Sequence, residues 1–534
     1  GYMGLAQIDM IRKDYESGLD HINRSLYRNW LNHKGRQLKT SFLRKTGDYT
    51  RAMALVDESL SMDRFNMGCR FEAYLIRKLQ GKVEEAAAVK EEMKTLMRGA
   101  VHSYMEYAID YASAGMYDEA LQLLSFVTED TENTYPMVYY ALGYFSSKAG
   151  KKDEALAYYQ KAEQMCPDYC FPNKLEEVLM LQDAMTLNPT GSKAPYYLGN
   201  FHYAVRCYDD AVTCWETSVA LDDRFPTVLR NLSLAYYNKQ HNPQKALAAL
   251  EKAYNLDTTD ARILMELDQL YKKLRYPHRQ RLDFLEAHTN EVEQRDDLCI
   301  ERITLYNQLG EYQKAYDLIN SRKFHPWEGG EGKVTSQYVF CRVELAKQAL
   351  AEKRYADAVR LLKETEKYPD NLGEGKLSMA EENDIHYWLG CAYEGLGDME
   401  QAKAYFERAT KGSAEPAIAF FYNDQQPDKI FYQGLAWRKL GEEDKARSRF
   451  NRLIKHGEKH LFDKVKIDYF AVSLPDLLIW DDDLNVRNLI HCNLVMGLGY
   501  LGLGDKEQAR RFLSEVVRLD INHQVGQQLL KMCE

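Results

Sequence analysis

Gly47-Asp48-Tyr49-Thr50-Arg51-Ala52 sets the register of the whole chain. The same shape returns as Gly115-Met116-Tyr117-Asp118-Glu119-Ala120 and as Gly310-Glu311-Tyr312-Gln313-Lys314-Ala315. Aligned on the tyrosine, Tyr15, Tyr49, Val83 and Tyr117 stand 34 residues apart. The ladder continues through Lys152, Tyr208, Pro243, Pro277, Tyr312, Tyr355, Met399, Glu443 and Lys506. Three residues after each rung stands Ala in 11 of 13 units, from Ala52 to Ala509, and only Gly18 and Gln280 break the rule. Ala is the small residue that lets two helices cross closely at no cost in helix propensity. A fixed period of this length reads as one supersecondary unit repeated along the chain.

Other positions fit the same frame. Leu142-Gly143, Leu198-Gly199, Leu389-Gly390 and Leu498-Gly499 are expected to open the first helix of a unit, and Pro167 and Pro189 to end a second helix. A ring follows the small pair at positions such as Tyr111, Tyr237, Tyr271, Tyr306, Tyr393 and Tyr500. These positions absorb part of an unusual tyrosine excess, 38 Tyr against 19 Phe. The 13 prolines in 534 residues suit a mostly helical chain.

This pattern resembles the tetratricopeptide repeat, a pair of antiparallel helices. The resemblance implies an all-α fold, a right-handed α-solenoid of about 13 helix pairs with longer loops in the second half. The ladder steps divide the chain into three parts. Residues 1–188 hold regular repeats plus an extra helix near 174–187, residues 189–320 regular repeats, and residues 321–534 elaborated ones. The insertions of the last part include His325 to Lys333, Pro369 to Gly375, Ala419 to Asp424 and Ser473 to Asp483. Such insertions map to one edge of a solenoid, often the binding edge.

Composition excludes several functions. Hydrophobic residues at 45% and charged residues at 28% are ordinary for a soluble globular protein. With 70 basic against 80 acidic side chains, the chain lacks the positive excess that displaces counterions from nucleic acid. No apolar run reaches the length of a membrane span. Ten scattered cysteines read as small core residues of a reducing compartment, which points to the cytoplasm and leaves the periplasm open. No signal peptide is visible after Gly1.

Motifs that carry chemistry fail on context. Gly497-Leu498-Gly499-Tyr500-Leu501-Gly502 matches the dinucleotide fingerprint but falls within a repeat helix, where a strand should precede it. Gly332-Lys333-Val334 lacks both the first glycine of a phosphate loop and its hydroxyl. His456 and His460 have i,i+4 spacing without a third ligand, and Cys166 and Cys170 have no partner pair. No catalytic residue, metal or cofactor is therefore expected.

In tetratricopeptide arrays the first helix of each pair lines the concave face, and the resemblance places Tyr140, Tyr144, Tyr196, Asn200, Tyr203, Asn231 and Asn238 there. Asn is suited to bond a peptide backbone, and Tyr offers rigid apolar area with a polar tip. The same tyrosines equally suit packing against a neighbouring repeat. The chaperone-binding clamp of this family needs a lysine. The positions that match it are Tyr196/Asn200, Asn231/Ala235 and Met265/Gln269, so that activity is not carried over.

Segments 325–332, 371–375 and 468–476 look like the carboxy-terminal part of a bacterial family in which a β-rich domain of unknown function precedes the repeats. That resemblance implies that Gly1 is an internal cut. It draws attention to Trp327, Glu328 and Glu331, which either hold a sugar ring or plug the gap left by an insertion. The leading expectation is a non-catalytic scaffold that binds a protein or peptide in its groove, an upstream domain of the same chain included. The rival is an accessory region of a carbohydrate-active enzyme. Self-association through the repeat ends is a third expectation.

Overall fold

The computed structural model describes residues 1–128, 135–378, 380–417, 425–466 and 479–533, and every regular element among them is helical. Two compact units divide the chain, Gly1–Leu232 and Ser233–Glu534. The expected divisions at 188 and 320 follow repeat regularity and are a different partition. Segments 419–424 and 468–478 lie outside the described residues.

The first unit stacks α1 (Tyr2–Arg12) on α2 (Tyr15–Arg28), α3 (His33–Lys45) on α4 (Tyr49–Met62) and α5 (Met67–Leu79) on α6 (Val83–Met97). It continues with α7 (Val101–Ser113) and α8 (Tyr117–Thr128), then α9 (Pro136–Lys148) and α10 (Lys152–Gln164). The extra helix is α11 (Leu175–Leu187), packed against α9 and against α12 (Lys193–Ala204), which pairs with α13 (Tyr208–Leu221). The boundary between the units falls inside α14 (Pro226–Asn238).

In the second unit come α15 (Pro243–Leu256), α16 (Ala261–Lys273), α17 (His278–Ala287) and the short α18 (Thr289–Val292). After them stand α19 (Asp296–Gln308) with α20 (Tyr312–Asn320), and α21 (Lys333–Ala351) with α22 (Tyr355–Lys363). The last pairs are α23 (Asn383–Leu396) with α24 (Met399–Ala409), α25 (Pro427–Lys439) with α26 (Glu443–His460), and α27 (Leu484–Leu503) with α28 (Lys506–Leu519). A final helix, α29 (Gln524–Lys531), covers α28. No described helix is long and apolar enough to cross a membrane.

The ladder residue is the first residue of the second helix in twelve pairs and the N-cap, Pro277, in the other. Two residues earlier the backbone is always left-handed. Eight glycines hold that position (Gly47, Gly81, Gly115, Gly150, Gly310, Gly397, Gly441 and Gly504) with φ between +72° and +84°. Lys13, Arg206, His241, Arg275 and Lys353 hold it in the remaining pairs. Only a left-handed residue reverses the chain this tightly, and glycine takes that conformation without a Cβ clash. The residue between turn and helix then caps it: the side chains of Asp14, Asp48, Asn242, Asp398 and Asp505 each accept a backbone N–H three residues on.

The ladder alanines are all buried, none more than 4% exposed. Gly18 serves the same end, since a Cβ there would stand 2.3 Å from the Phe42 ring. Gln280 is exposed because α17 begins one residue late, at His278, so the packed position passes to Arg281. The Leu-Gly pairs lie mid-helix instead of opening the first helix. In three of the pairs the glycine receives the large side chain sixteen residues on, Gly143 facing Tyr159, Gly199 Trp215 and Gly390 Phe406; Gly434 and Gly497 receive Phe450 and Leu513 in the same way, whereas Gly499 meets Ile454. Pro167 follows the end of α10 as expected, whereas Pro189 follows the extra helix α11 and not a second helix.

Lys353 at φ +60° carries a left-handed strain of about 1 kcal/mol that glycine would not. Lys353→Gly should raise the thermal melting midpoint, and Gly47→Ala should lower it by a change of about the same size. Circular dichroism melts of both variants check this, and equal midpoints would refute the turn assignment.

Candidate functional site

Six of the seven expected groove residues lie in the first unit, two of them buried and four half-buried. Tyr140 and Tyr196 are buried, and both rings meet Tyr197, at 5.8 and 5.1 Å between centroids. Tyr140 also lies against Tyr159, and Tyr196 against Phe225. These two rings fill the space between helices and do not line an open face. Burial holds the Tyr140 phenol well above its ordinary pKa, so it stays neutral.

Asn200, Tyr203 and Asn231 are half-buried and are gathered around Trp215. The indole N–H donates to Asn200 Oδ1 at 3.1 Å, and Asn231 Nδ2 donates to the same oxygen at 3.2 Å. The Tyr203 ring stands 5.3 Å from that of Trp215. Tyr144, also half-buried, lies under Lys148 Nζ at 5.0 Å.

Asn238 belongs to the second unit, and its carboxamide holds main chain. Its Nδ2 donates to the Ile479 carbonyl at 2.9 Å, and its Oδ1 accepts from the Asp481 N–H at 2.8 Å. Between these two bonds the Trp480 side chain sinks into the unit until 1% of it is exposed. Its indole N–H donates to the Glu266 carbonyl at 3.1 Å, and its ring meets Tyr237 edge-on at 5.2 Å. Lys239 pairs with Asp481 at 3.5 Å and Lys273 with Asp482 at 3.1 Å. Burial, and then the charges of Asp482 and Asp481, raise the Tyr237 phenol pKa.

Further along the same row of first helices, the chain's own end provides the cover. Gln308 Nε2 donates to the Asn522 carbonyl at 2.7 Å, and Gln337 and Gln524 join through their side-chain amides at 2.8 Å. Gln528 Nε2 donates to the Tyr312 hydroxyl at 3.0 Å. Beneath them Arg281, with no side-chain exposure, holds Asp268 and Glu301 at 2.7 Å each and donates to Asn522 Oδ1 at 3.2 Å. Removing one partner of such a buried group strands the other's charge.

Lys239, Lys273, Tyr237 and Trp480 were not assigned to a site from sequence. The legible signal was an indole followed by three carboxylates inside an insertion, and a lysine next to Asn238.

Of the loop candidates, Trp327 packs within its own loop. Trp327 lies over Gly330, where a Cβ would come within 2.0 Å of the indole, while Glu328 and Glu331 are exposed. The two insertions of this region stitch together. Phe324 N–H donates to the Asn371 carbonyl at 2.7 Å, and Glu374 accepts the Gly332 N–H at 3.0 Å, a carboxylate at the N-terminus of α21.

Gly497, Gly499 and Gly502 lie inside α27, against Leu513, Ile454 and Phe450, so the glycine motif is a helix-packing feature. His456 and His460, both in α26, have ring centroids 4.6 Å apart, and His491 of α27 stands 6.2 Å from His456. His202, Cys207 and Asp210 present ligand-type atoms within 4.8 Å of one another, with Cys207 exposed at the N-cap of α13 and Asp210 exposed in its first turn. All ten cysteines are free.

These features define an all-α protein of stacked helix hairpins whose first-helix faces bear Asn and Tyr. Tetratricopeptide repeat models match residues 138–169, 384–411 and 430–456. Among solved structures, Cut9 in the APC/C hetero-tetramer Cut9–Hcn1 is 13% identical, covering 99% of this chain and 95% of that one, with a TM-score of 0.25. The P58(IPK) TPR domain is 15% identical over 70% of this chain and 98% of its own, with a TM-score of 0.22. YrrB, described as a TPR protein with an unusual peptide-binding site, is 17% identical over 44% and 92%, with a TM-score of 0.16. The repeat matches do not extend to the β-rich family suggested by the second half.

Burial, and then the neighbouring His456, lower the His491 pKa to about 4. An unfolded histidine titrates near 6.5, so the unfolded chain binds the proton first on acidification. The stabilisation by neutral His491 is present above about pH 6.5 and is lost as pH falls toward 4, by up to about 3 kcal/mol. Melting midpoints between those pH values should therefore fall less steeply in His491→Gln than in the wild type. Parallel curves would contradict this assignment.

Proposed function

We propose that this chain is a non-catalytic repeat scaffold that holds a non-helical segment of a protein partner against its first-helix faces. The supporting observation is the double hydrogen bond from Asn238 to main chain on both sides of Trp480. A carboxamide offers donor and acceptor together, which match the free carbonyl and N–H of a non-helical segment whatever its side chains. A helical ligand would already have spent those groups on itself. The first unit carries the same side-chain type at Asn200 and Asn231, with the half-buried Tyr203 ring against the Trp215 that bonds Asn200, and a further half-buried ring at Tyr144 on an earlier first helix.

A random peptide display library selected on the full chain, followed by fluorescence anisotropy with the recovered sequences, tests the reading. Asn231→Ala and Tyr144→Ala, each retaining the wild-type melting midpoint, should weaken binding by about tenfold, the loss of one to two polar or ring contacts. Recovered peptides that bind these variants and Asn238→Ala as tightly as the wild type would rule it out.

A further inference from the structure

The second unit holds a specimen of what its cleft selects. Every position from Ile479 to Asp482 has a partner in the cleft. Asn238 requires the Ile479 carbonyl and the Asp481 N–H to face the same way, around a non-helical backbone that bends at Ile479 and Trp480. At full burial the Glu266 carbonyl accepts a ring N–H. Phenylalanine has no donor to give it, and a buried acceptor without one costs free energy. Lys239 and Lys273 meet carboxylates at the next two positions. Asp483 then leaves the cleft to cap α27, its Oδ1 accepting the Asn485 N–H at 2.8 Å.

The repeat architecture does not demand this segment. Ile479 to Asp483 comes from the long insertion between α26 and α27, while α15, α16 and α17 already pack on one another and α17 on α19. The contact joins residues 241 positions apart. Its two ion pairs lie along the rim, where Asp481 and Asp482 are exposed, and the indole with its hydrogen bond to the Glu266 carbonyl is the one deep anchor. A short segment anchored by one side chain and two rim ion pairs is an occupant that another segment of the same chemistry can replace.

We propose that the cleft between α14 and α16 is a receptor for a non-helical segment carrying Trp followed by two acidic residues. Ile479–Asp482 closes it in cis until a partner with that chemistry competes. This deepens the segment-binding reading above and rests on it. Self-occupation lowers the apparent affinity for the partner by the fraction of molecules in which the cleft is open.

The test uses a fluorescein-labelled peptide, Ile-Trp-Asp-Asp-Asp, titrated by anisotropy into the full-length chain. Trp480→Ala should bind it about tenfold or more tightly than the wild type does, because the competing segment is released. Adding Lys273→Glu to Trp480→Ala should abolish binding, as should replacing the peptide's Trp with Ala. Absence of binding to a Trp480→Ala chain with wild-type helical circular dichroism overturns the proposal, and so does undiminished binding after Lys273→Glu. If Trp480→Ala fails to fold, the double variant Asp481→Lys/Asp482→Lys keeps the indole and removes the rim pairs. It should still bind the peptide more tightly than the wild type, and equal affinity overturns the proposal. A concentration-dependent dimer in light scattering that Trp480→Ala dissolves would assign the segment to a second copy and overturn the free-partner reading. Failure at Asn231 and Tyr144 alone would strike the first-unit face and leave the Asn238 cleft standing, so the two readings fail separately.

Discussion

Each of the thirteen ladder pairs turns on one residue held left-handed, two positions before the ladder residue that starts or, at Pro277, caps the second helix. That conformation reverses the backbone and aims the next residue to cap the coming helix. It also fixes which residue of the second helix meets the first. Four residues into that helix a large side chain would collide with the partner helix, so alanine or glycine stands there. Turn, cap and small residue are one constraint expressed three times, and repetition of that constraint builds both units.

The exception shows how much the constraint governs. The helix after Pro277 starts one residue late, and its packed position falls on Arg281. A buried guanidinium is tolerable only when carboxylates surround it, and Asp268 and Glu301 do so. Burial opposes its ionisation, yet Lys272 and Arg281 together hold the Glu301 carboxyl down to about 2. At this joint the array is held by paired charges where its neighbours use a methyl group. The same arginine reaches Asn522 from the end of the chain.

What was legible in the sequence is what repeats. The 34-residue step, the alanines, the extra helix near 174–187 and the all-α class depend on neighbours a few dozen residues apart, and the spacing preserves them. The register of α17 was not legible, because Pro277 aligned with the ladder while the helix began at His278. Nor were the fates of Tyr140 and Tyr196. A tyrosine on a first helix can face outward or toward the next pair, and its neighbour Tyr197 draws both inward. The partner of Asn238 lay furthest from reach. No periodic reading brings together residues 238 and 480, since their meeting depends on how the intervening pairs stack.

The contact between Asn238 and the Trp480 segment also changes the folding topology of its unit. A stack of hairpins is answerable only to adjacent hairpins, so its contacts are local and its stability is nearly a sum over neighbours. A tie spanning some 240 residues, with a second at Asn522, adds contacts that cannot form until the intervening pairs are in place. Those ties make the middle and the end of the unit sensitive to one another. Fraying at the last pair is then felt at α16, and the array unfolds less like a row of separable beads and more like a closed clasp.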